Sequence, residues 1–236
     1  MKLTYIYHSG FAIETERCIV IIDYYKDPSD VVTPLLKSDK KIYVLVSHFH
    51  PDHFNADVLT WKALHGDIVY LFSKDILRHR RAPKDAATMW LIKGDTYTDD
   101  NISVRAFGST DSGDSFVIKI DGKRIFHAGD LNNWHWSDVS TKAEAEGAEK
   151  MYLNELKDIC SVEDRVDVAM FPVDERIGSG YMRGAQQFVE RMPTGLFVPM
   201  HFTATGYDSA NAFAPIAEAN GCKFWKLQRE GQSIDI

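Results

Sequence analysis

Directly after the apolar run Ile42-Tyr43-Val44-Leu45-Val46 the chain reads His48-Phe49-His50-Pro51-Asp52-His53, four side chains able to ligate a metal within six residues. A short apolar run that stops at polar turn residues predicts a buried strand. Two histidines spaced i and i+2 at its end point their imidazoles to one side. The Asp-His pair that comes next, at a turn, then offers ligands to a second ion beside the first. The plain alternative is a solvated polar turn closing a core strand, which rarely needs three histidines in six residues.

Three further positions repeat the pattern of a polar residue just past an apolar run. Asp23 closes Cys18-Ile19-Val20-Ile21-Ile22, Gly129-Asp130 follows Arg124-Ile125-Phe126-His127, and Pro199-Met200-His201 follows Gly195-Leu196-Phe197-Val198. Each has a plainer explanation. Gly-Asp is common in loops, so Asp130 alone is a turn or capping residue. His201 could be a core histidine whose nitrogens bond to backbone. His8, at the start of the string His8-Ser9-Gly10-Phe11, either lines a pocket or serves the strand beside it.

HFHPDH matches the HxHxDH motif, and with Asp23, Asp130 and His201 in the same order along residues 1–236 the chain resembles the metallo-β-lactamase superfamily. The strings at His8–Phe11, His127–Asp130 and Pro199–Phe202 are most similar to the branch that includes ascorbate-6-phosphate lactonase. The resemblance implies His48, His50, Asp52, His53, Asp130 and His201 as metal ligands, with Asp130 bridging two ions. It also implies that Asp52 orients a water or carries its proton, and that Asp23 is a buried acid bracing the histidine loop. The sequence departs from the family at one point. Where a further histidine is expected the chain reads Ser109-Thr110-Asp111, and no histidine lies between His79 and His127. Asp111 and His127 are the candidate replacements, and the site of His48 and His50 is expected to hold metal less tightly than that of Asp52, His53, Asp130 and His201.

Ligand chemistry narrows the cofactor. Histidine and carboxylate without thiolate suit zinc first, and also manganese, iron or nickel, in one or two ions. Cys18, Cys160 and Cys222 lack CxxC spacing and suggest neither a thiolate site nor a disulfide framework. A net charge of −7 argues against a protein that coats nucleic acid, because that binding depends on lysine and arginine neutralising phosphates. The amino terminus shows no signal-peptide stretch and no run approaches a membrane span, so a cytoplasmic location with a small-molecule substrate is expected. Oligomeric state is not legible.

At 236 residues and 44% hydrophobic, the chain fits one domain over 1–236. Strands are predicted at 3–7, 11–14, 18–23, 41–47, 68–72, 104–107, 116–120, 124–128, 166–171, 195–198, 223–227 and 232–236, with Asp121-Gly122 as a two-residue hairpin turn. Asn55 is expected to cap a helix to Leu64, and Ser73 a short second one. Thr141 and Glu144 form a capping box before the stripe Ala145, Ala148, Tyr152, Leu156 and Ile159. Further helices are expected near 184–191 and 213–220, the last weakened by Pro215. Strands and helices in both halves give an α+β class and a four-layer αββα sandwich, with the metal loops at one edge.

Trp134 and Trp136, just past Asp130, would wall the site, alongside His8 and Ser109; sealing the sheet edge is the competing role. The cluster Arg78-His79-Arg80-Arg81 reads as a solvated helix end. Together these features predict a metal-dependent hydrolase using a metal-activated water on an ester, lactone or phosphodiester bond. The alternative, prompted by the missing histidine, is a metal-poor binding or sensor protein.

Overall fold

Alternating apolar runs produce fourteen strands in the computed structural model, which describes residues 1–236. The first sheet contains β1 (Lys2–Tyr7), β2 (Gly10–Glu14), β3 (Cys18–Ile22), β4 (Lys41–Val46), β5 (Ile68–Ser73) and β6 (Met89–Leu91). The second contains β7 (Thr96–Thr98), β8 (Ile102–Gly108), β9 (Asp114–Ile120), β10 (Lys123–His127), β11 (Val166–Pro172), β12 (Thr194–Met200) and β13 (Lys223–Phe224). The last strand, β14 (Ser233–Asp235), returns to pair with β1 in the first sheet.

Both sheets share one plan. β1 to β3 pair antiparallel and β3 to β6 parallel. β7 to β10 likewise pair antiparallel and β10 to β13 parallel. Parallel strands are normally covered on both faces, and the period of two explains how these are. Val20, Ile22, Tyr43 and Leu45 face a 47-residue core shared with the second sheet. Their neighbours Ile19, Ile21, Ile42, Val44 and Val46 face an 18-residue cluster on the outside of the first sheet. That outer cluster is covered by α1 (Val32–Leu36), a 3₁₀ helix at Ala56–Ala63 and α2 (Lys74–Arg78). The second sheet is covered by α3 (Lys142–Cys160), α4 (Arg183–Val189), α5 (Tyr207–Asn211) and α6 (Ala214–Ala219). The result is the expected α+β layering of helix, sheet, sheet and helix. No helix is long and apolar enough to cross a membrane.

Local chemistry sets the boundaries. The Thr141–Glu144 capping box forms and starts α3, which buries Tyr152, Leu156 and Ile159. Asp121 (φ +45°) and Gly122 (φ +77°) make the tight turn between β9 and β10, the two positive angles that a type I′ hairpin requires. Pro215 lies in the first turn of α6, where its missing N–H costs nothing. Several elements differ from expectation. Asn55 does cap, accepting from the Asp57 amide, but the helix it caps is 3₁₀ rather than α. Ser73 precedes α2 without a side-chain capping bond. The strand after Gly221 covers only Lys223–Phe224, and α1, β6 and β7 were not anticipated.

The parallel strands β3, β4, β10, β11 and β12 direct their carboxyl ends to the same edge, and the tightest packing there surrounds Ser47. A Cβ on Gly113 (φ +64°) would stand 2.0 Å from the Ser47 carbonyl oxygen and 2.6 Å from the His48 Cβ. Gly122, also at positive φ, has nothing within 4 Å. Gly122→Ala is therefore expected to cost only the backbone penalty of about 1–2 kcal/mol. Gly113→Ala should add ~1–3 kcal/mol of overpacking and displace His48. Denaturant melts of the two variants check this, and equal costs would contradict it.

Candidate metal centre

The residues singled out in the sequence lie at that strand edge, and the bonds behind them fix how they face it. Asp23, fully buried, accepts from the Ser47 amide (2.7 Å) and the Ser47 hydroxyl (2.6 Å), and bonds His53 Nδ1 (2.7 Å). An ionised carboxylate only accepts, so the proton on His53 sits at Nδ1 and Nε2 presents a lone pair. The Ser47 hydroxyl spends its hydrogen on Asp23, so at 2.9 Å from His48 Nδ1 it accepts, and His48 too presents a bare Nε2. Asp174, 2.9 Å from His201 Nδ1, does the same for His201. The Phe202 carbonyl, 3.3 Å from His8 Nδ1, does so for His8. Four buried rings thus share one tautomer.

The bare nitrogen of His8 faces Asp52, and the other three converge on Asp130. Its Oδ1 is 3.0 Å from His53 Nε2 and 3.1 Å from His201 Nε2, and its Oδ2 is 3.2 Å from His48 Nε2. Lone pairs of neutral rings facing a carboxylate at this range repel unless a proton or a cation lies between them. The Nε2 atoms of His8, His48 and His53 and Oδ1 of Asp130 are buried with no hydrogen-bond partner. Ligands of one tetrahedral zinc, each ~2.0–2.2 Å from it, stand about 3.3 Å apart. The residues fit a divalent ion.

Two sets of ligand atoms form, each within 4.8 Å: His8, Asp52, His53 and His201, and His48, His50, Asp111 and Asp130. Asp130, with an oxygen toward each, lies between them. Asp111 Oδ2 stands 3.2 Å from His50 Nδ1, in the region where the sequence lacks a histidine. His8, expected either to line a pocket or to serve its strand, joins the first set, with Nε2 3.5 Å from Asp52 Oδ2. Two expectations need correction. His127 belongs to neither set: its Nδ1 accepts from the Gly129 amide and its Nε2 lies 2.8 Å from the Ser9 carbonyl, so backbone occupies both nitrogens. Ser109 does not line the cavity, whose wall at this point is Thr110 and Asp111.

That cavity, about 270 Å³, opens over Asp130 and His201. Trp134 and Trp136 form one wall, with rings 6.1 Å apart and nearly parallel, and the Trp134 indole donates to the Asp130 carbonyl at 2.8 Å. Sequence reasoning missed Asp174 and Arg176, which also line the cavity. The signal was present: Asp174 follows the buried strand β11 much as Asp23 follows β3. Arg176 clasps Asp174 through Nε (2.9 Å) and Nη2 (2.6 Å). Burial would raise Asp174, but His201 and Arg176 hold it down at about 2.

Electrostatics confirm a place prepared for positive charge. Burial would raise Asp130, yet His201, His53 and His48 hold it well below the usual carboxylate range. Burial likewise opposes a charged His201, but Asp130 and Asp174 lift it to about 9. His53 is lifted in the same way by Asp130 and Asp23. Strain marks the same spot. His8 (φ +56°), Asp23 (φ +47°), His201 (φ +62°) and Trp136 (φ +42°) all hold left-handed backbone without being glycine.

The chain is similar to known proteins along its whole length. The sequence profile described as "Beta-lactamase superfamily domain" matches residues 2–147. A UPF0173 metal-dependent hydrolase of Pelotomaculum thermopropionicum is 32% identical over 258 residues, covering 100% of both chains. A protein of the same description from Pyrococcus furiosus is 26% identical over 247 residues, covering 100% of this chain and 96% of that one. Among solved structures, Igni18, a metallo hydrolase from Ignicoccus hospitalis, superposes with a TM-score of 0.70 at 20% identity, over 99% of this chain and 97% of that one. At that identity the likeness speaks for the fold.

In the metal-stripped protein the raised His201 stabilises the fold fully below its ordinary value of 6.5, and that contribution is lost as pH rises through about 9. The stability of stripped protein is therefore expected to fall from pH 7 to 9, and that of metal-loaded protein to fall much less. Parallel thermal melts decide it, and indistinguishable slopes would contradict it. Asp174→Asn should leave the fold intact and weaken metal binding by about 10- to 100-fold, read by competition with a chelating dye.

Proposed function

The chain belongs to the β-lactamase superfamily, and from that premise we propose that it is a metal-dependent hydrolase of a small molecule, acting on an ester, lactone or phosphodiester bond. One observation carries the proposal: buried, unpartnered Nε2 lone pairs converge on the Asp130 carboxylate at the floor of an open cavity. Two relatives named metal-dependent hydrolases, similar along the whole chain, support it.

His8, Asp52, His53 and His201 would hold one divalent ion, and His48, His50 and Asp111 a second, with Asp130 between them. When bound, such ions lower the pKa of water toward 7 and polarise a carbonyl or phosphoryl oxygen. Zinc suits the donor set best, since imidazole and carboxylate are both among its usual ligands and five histidines stand against three aspartates. The protein's own share is orientation. Asp23 and Ser47 fix the rings of His53 and His48, and Asp174 fixes His201. Asp52 is the part-exposed carboxylate of its set; the His8 imidazole beside it holds it well below the usual carboxylate range, so it stays ionised and would orient a water or pass its proton on rather than keep it. Its side chain is 39% exposed, against 7% for Asp130, so it alone of the two can exchange that proton with solvent.

The alternative of a metal-poor sensor was prompted by the missing histidine. Asp111 beside His50 weakens that motive, since a carboxylate on the exposed side completes four candidate ligands there. It does not make the two sets equal. The set of His48, His50 and Asp111 is the more open, with His50 34% and Asp111 44% exposed at their side chains.

Calorimetric titration of the stripped protein with zinc is expected to resolve a tight event and a weaker one. Asp111→Asn should reduce the weaker, and the Asp52→Asn/His53→Gln double variant the tighter. The loaded protein should hydrolyse at least one of a panel of nitrophenyl esters, lactones and bis(nitrophenyl) phosphate, with activity lost to chelator and restored by zinc. Unchanged metal stoichiometry in the double variant would sink the ligand assignment. Turnover that survives complete metal removal would sink the mechanism.

A further inference from the structure

Arg176 lines the same cavity as the two tryptophans, and its guanidinium is only partly committed. Nε and Nη2 are spent on Asp174, Nη2 also lies 3.3 Å from His201 Nδ1, and the Nη1 edge has no protein acceptor. The side chain is 46% exposed while Asp174 beneath it is 1% exposed, so the pair is anchored from below and open above. An arginine held rigidly by one carboxylate, with a free edge in a cavity, is a preorganised donor for a second oxyanion. In the same lining, Trp134 meets His201 edge-on at 5.4 Å and Trp136 stacks beside Trp134, 37% exposed on strained backbone. A large exposed indole in left-handed backbone costs free energy twice, which is expected where a ligand covers it. A cavity of about 270 Å³ limits that ligand to a small one.

We propose that the substrate is a small anion, with a carboxylate or phosphate oxygen bound at the Nη1 edge of Arg176 and a flat or unsaturated body lying along Trp134 and Trp136. This assignment rests on the hydrolase reading above and names its substrate class. Arg176 is a specificity-determining residue here. The competing role is purely structural: Arg176 neutralises Asp174 and thereby steadies His201. That role predicts weaker metal binding on substitution and no change in substrate preference.

The test compares zinc-loaded wild type, Arg176→Met and Arg176→Lys, each checked for metal content. The probes are 4-nitrophenyl hemisuccinate, which keeps a free carboxylate, and neutral 4-nitrophenyl butyrate. Wild type is expected to favour the anionic ester in kcat/KM by about 10- to 100-fold, the range of a hydrogen bond to a charged group. Arg176→Met should abolish that preference at unchanged metal content, and Arg176→Lys, which keeps the charge and loses the planar fork, should reduce it several-fold. A preference undiminished in both variants overturns the proposal, as does a loss of metal without a loss of preference. Binding of benzoate and of benzamide, tracked by indole fluorescence, provides a readout independent of turnover. If no ester, lactone or phosphodiester of the panel is cleaved but benzoate binds in an Arg176-dependent manner, the hydrolase reading fails while the anion site at Arg176 stands. If both esters are cleaved alike and both aromatics bind alike, this one fails and the hydrolase reading stands.

Discussion

The buried carboxylate of Asp23 is the point on which the centre depends. It ties the end of β3 to the end of β4 through the Ser47 amide and hydroxyl, and it fixes His53 directly and His48 through that hydroxyl. One side chain therefore sets the proton positions of one histidine in each ligand set. A fully buried anion is costly unless its lone pairs are filled, and here Ser47 and His53 fill them. Burial alone would raise its pKa, yet His127, His53 and His48 keep it ionised. The close approach of Gly113 and Gly129 to Ser47 completes the enclosure, leaving no room for the hydroxyl to turn away.

The same economy explains the strained backbone. A strand that ends at the sheet edge sends its next side chain outward, whereas a ligand must lean back over the edge. A left-handed residue makes that reversal in one step, at about 1–3 kcal/mol each. His8, Asp23 and His201 all take it. His201 donates its amide to the His8 carbonyl at 3.2 Å, so two of the three strained residues, one from each sheet, hold each other in place.

What could be read in the sequence was what depends on spacing. The HFHPDH loop, Asp23, Asp130 and His201 each lie just past a run whose alternation gives away a strand, and all come together at one edge. The box at Thr141–Glu144 and the Asp121-Gly122 turn were legible because their chemistry is local. What escaped depends on tertiary context. β6 and β7 have three residues each, too few for a period, and α1 carries a proline that argues against a helix. Asp111 could be named as the nearest carboxylate, but its approach to His50 is set by the loop between β8 and β9, which no pattern fixes. His127 shows the converse: a histidine next to a ligand string, turned inward because Ser9 and Gly129 claim both nitrogens. Asp174 was overlooked although it lies just past a buried strand, because no histidine motif drew attention to it.

The ligand sets draw on both sheets: His8, His48 and His53 come from the first, Asp130 and His201 from the second. An ion held among them would be a cross-link between the two halves of the sandwich as well as a reagent. Binding that exists only in the folded chain adds stability by mass action, about 1.4 kcal/mol for each tenfold rise in free ion above its dissociation constant. Against a typical folding stability of ~5–15 kcal/mol, that is enough to govern how much of the protein survives surveillance by proteases. The amount of this protein in a cell, and not only its activity, would then track the cell's supply of metal.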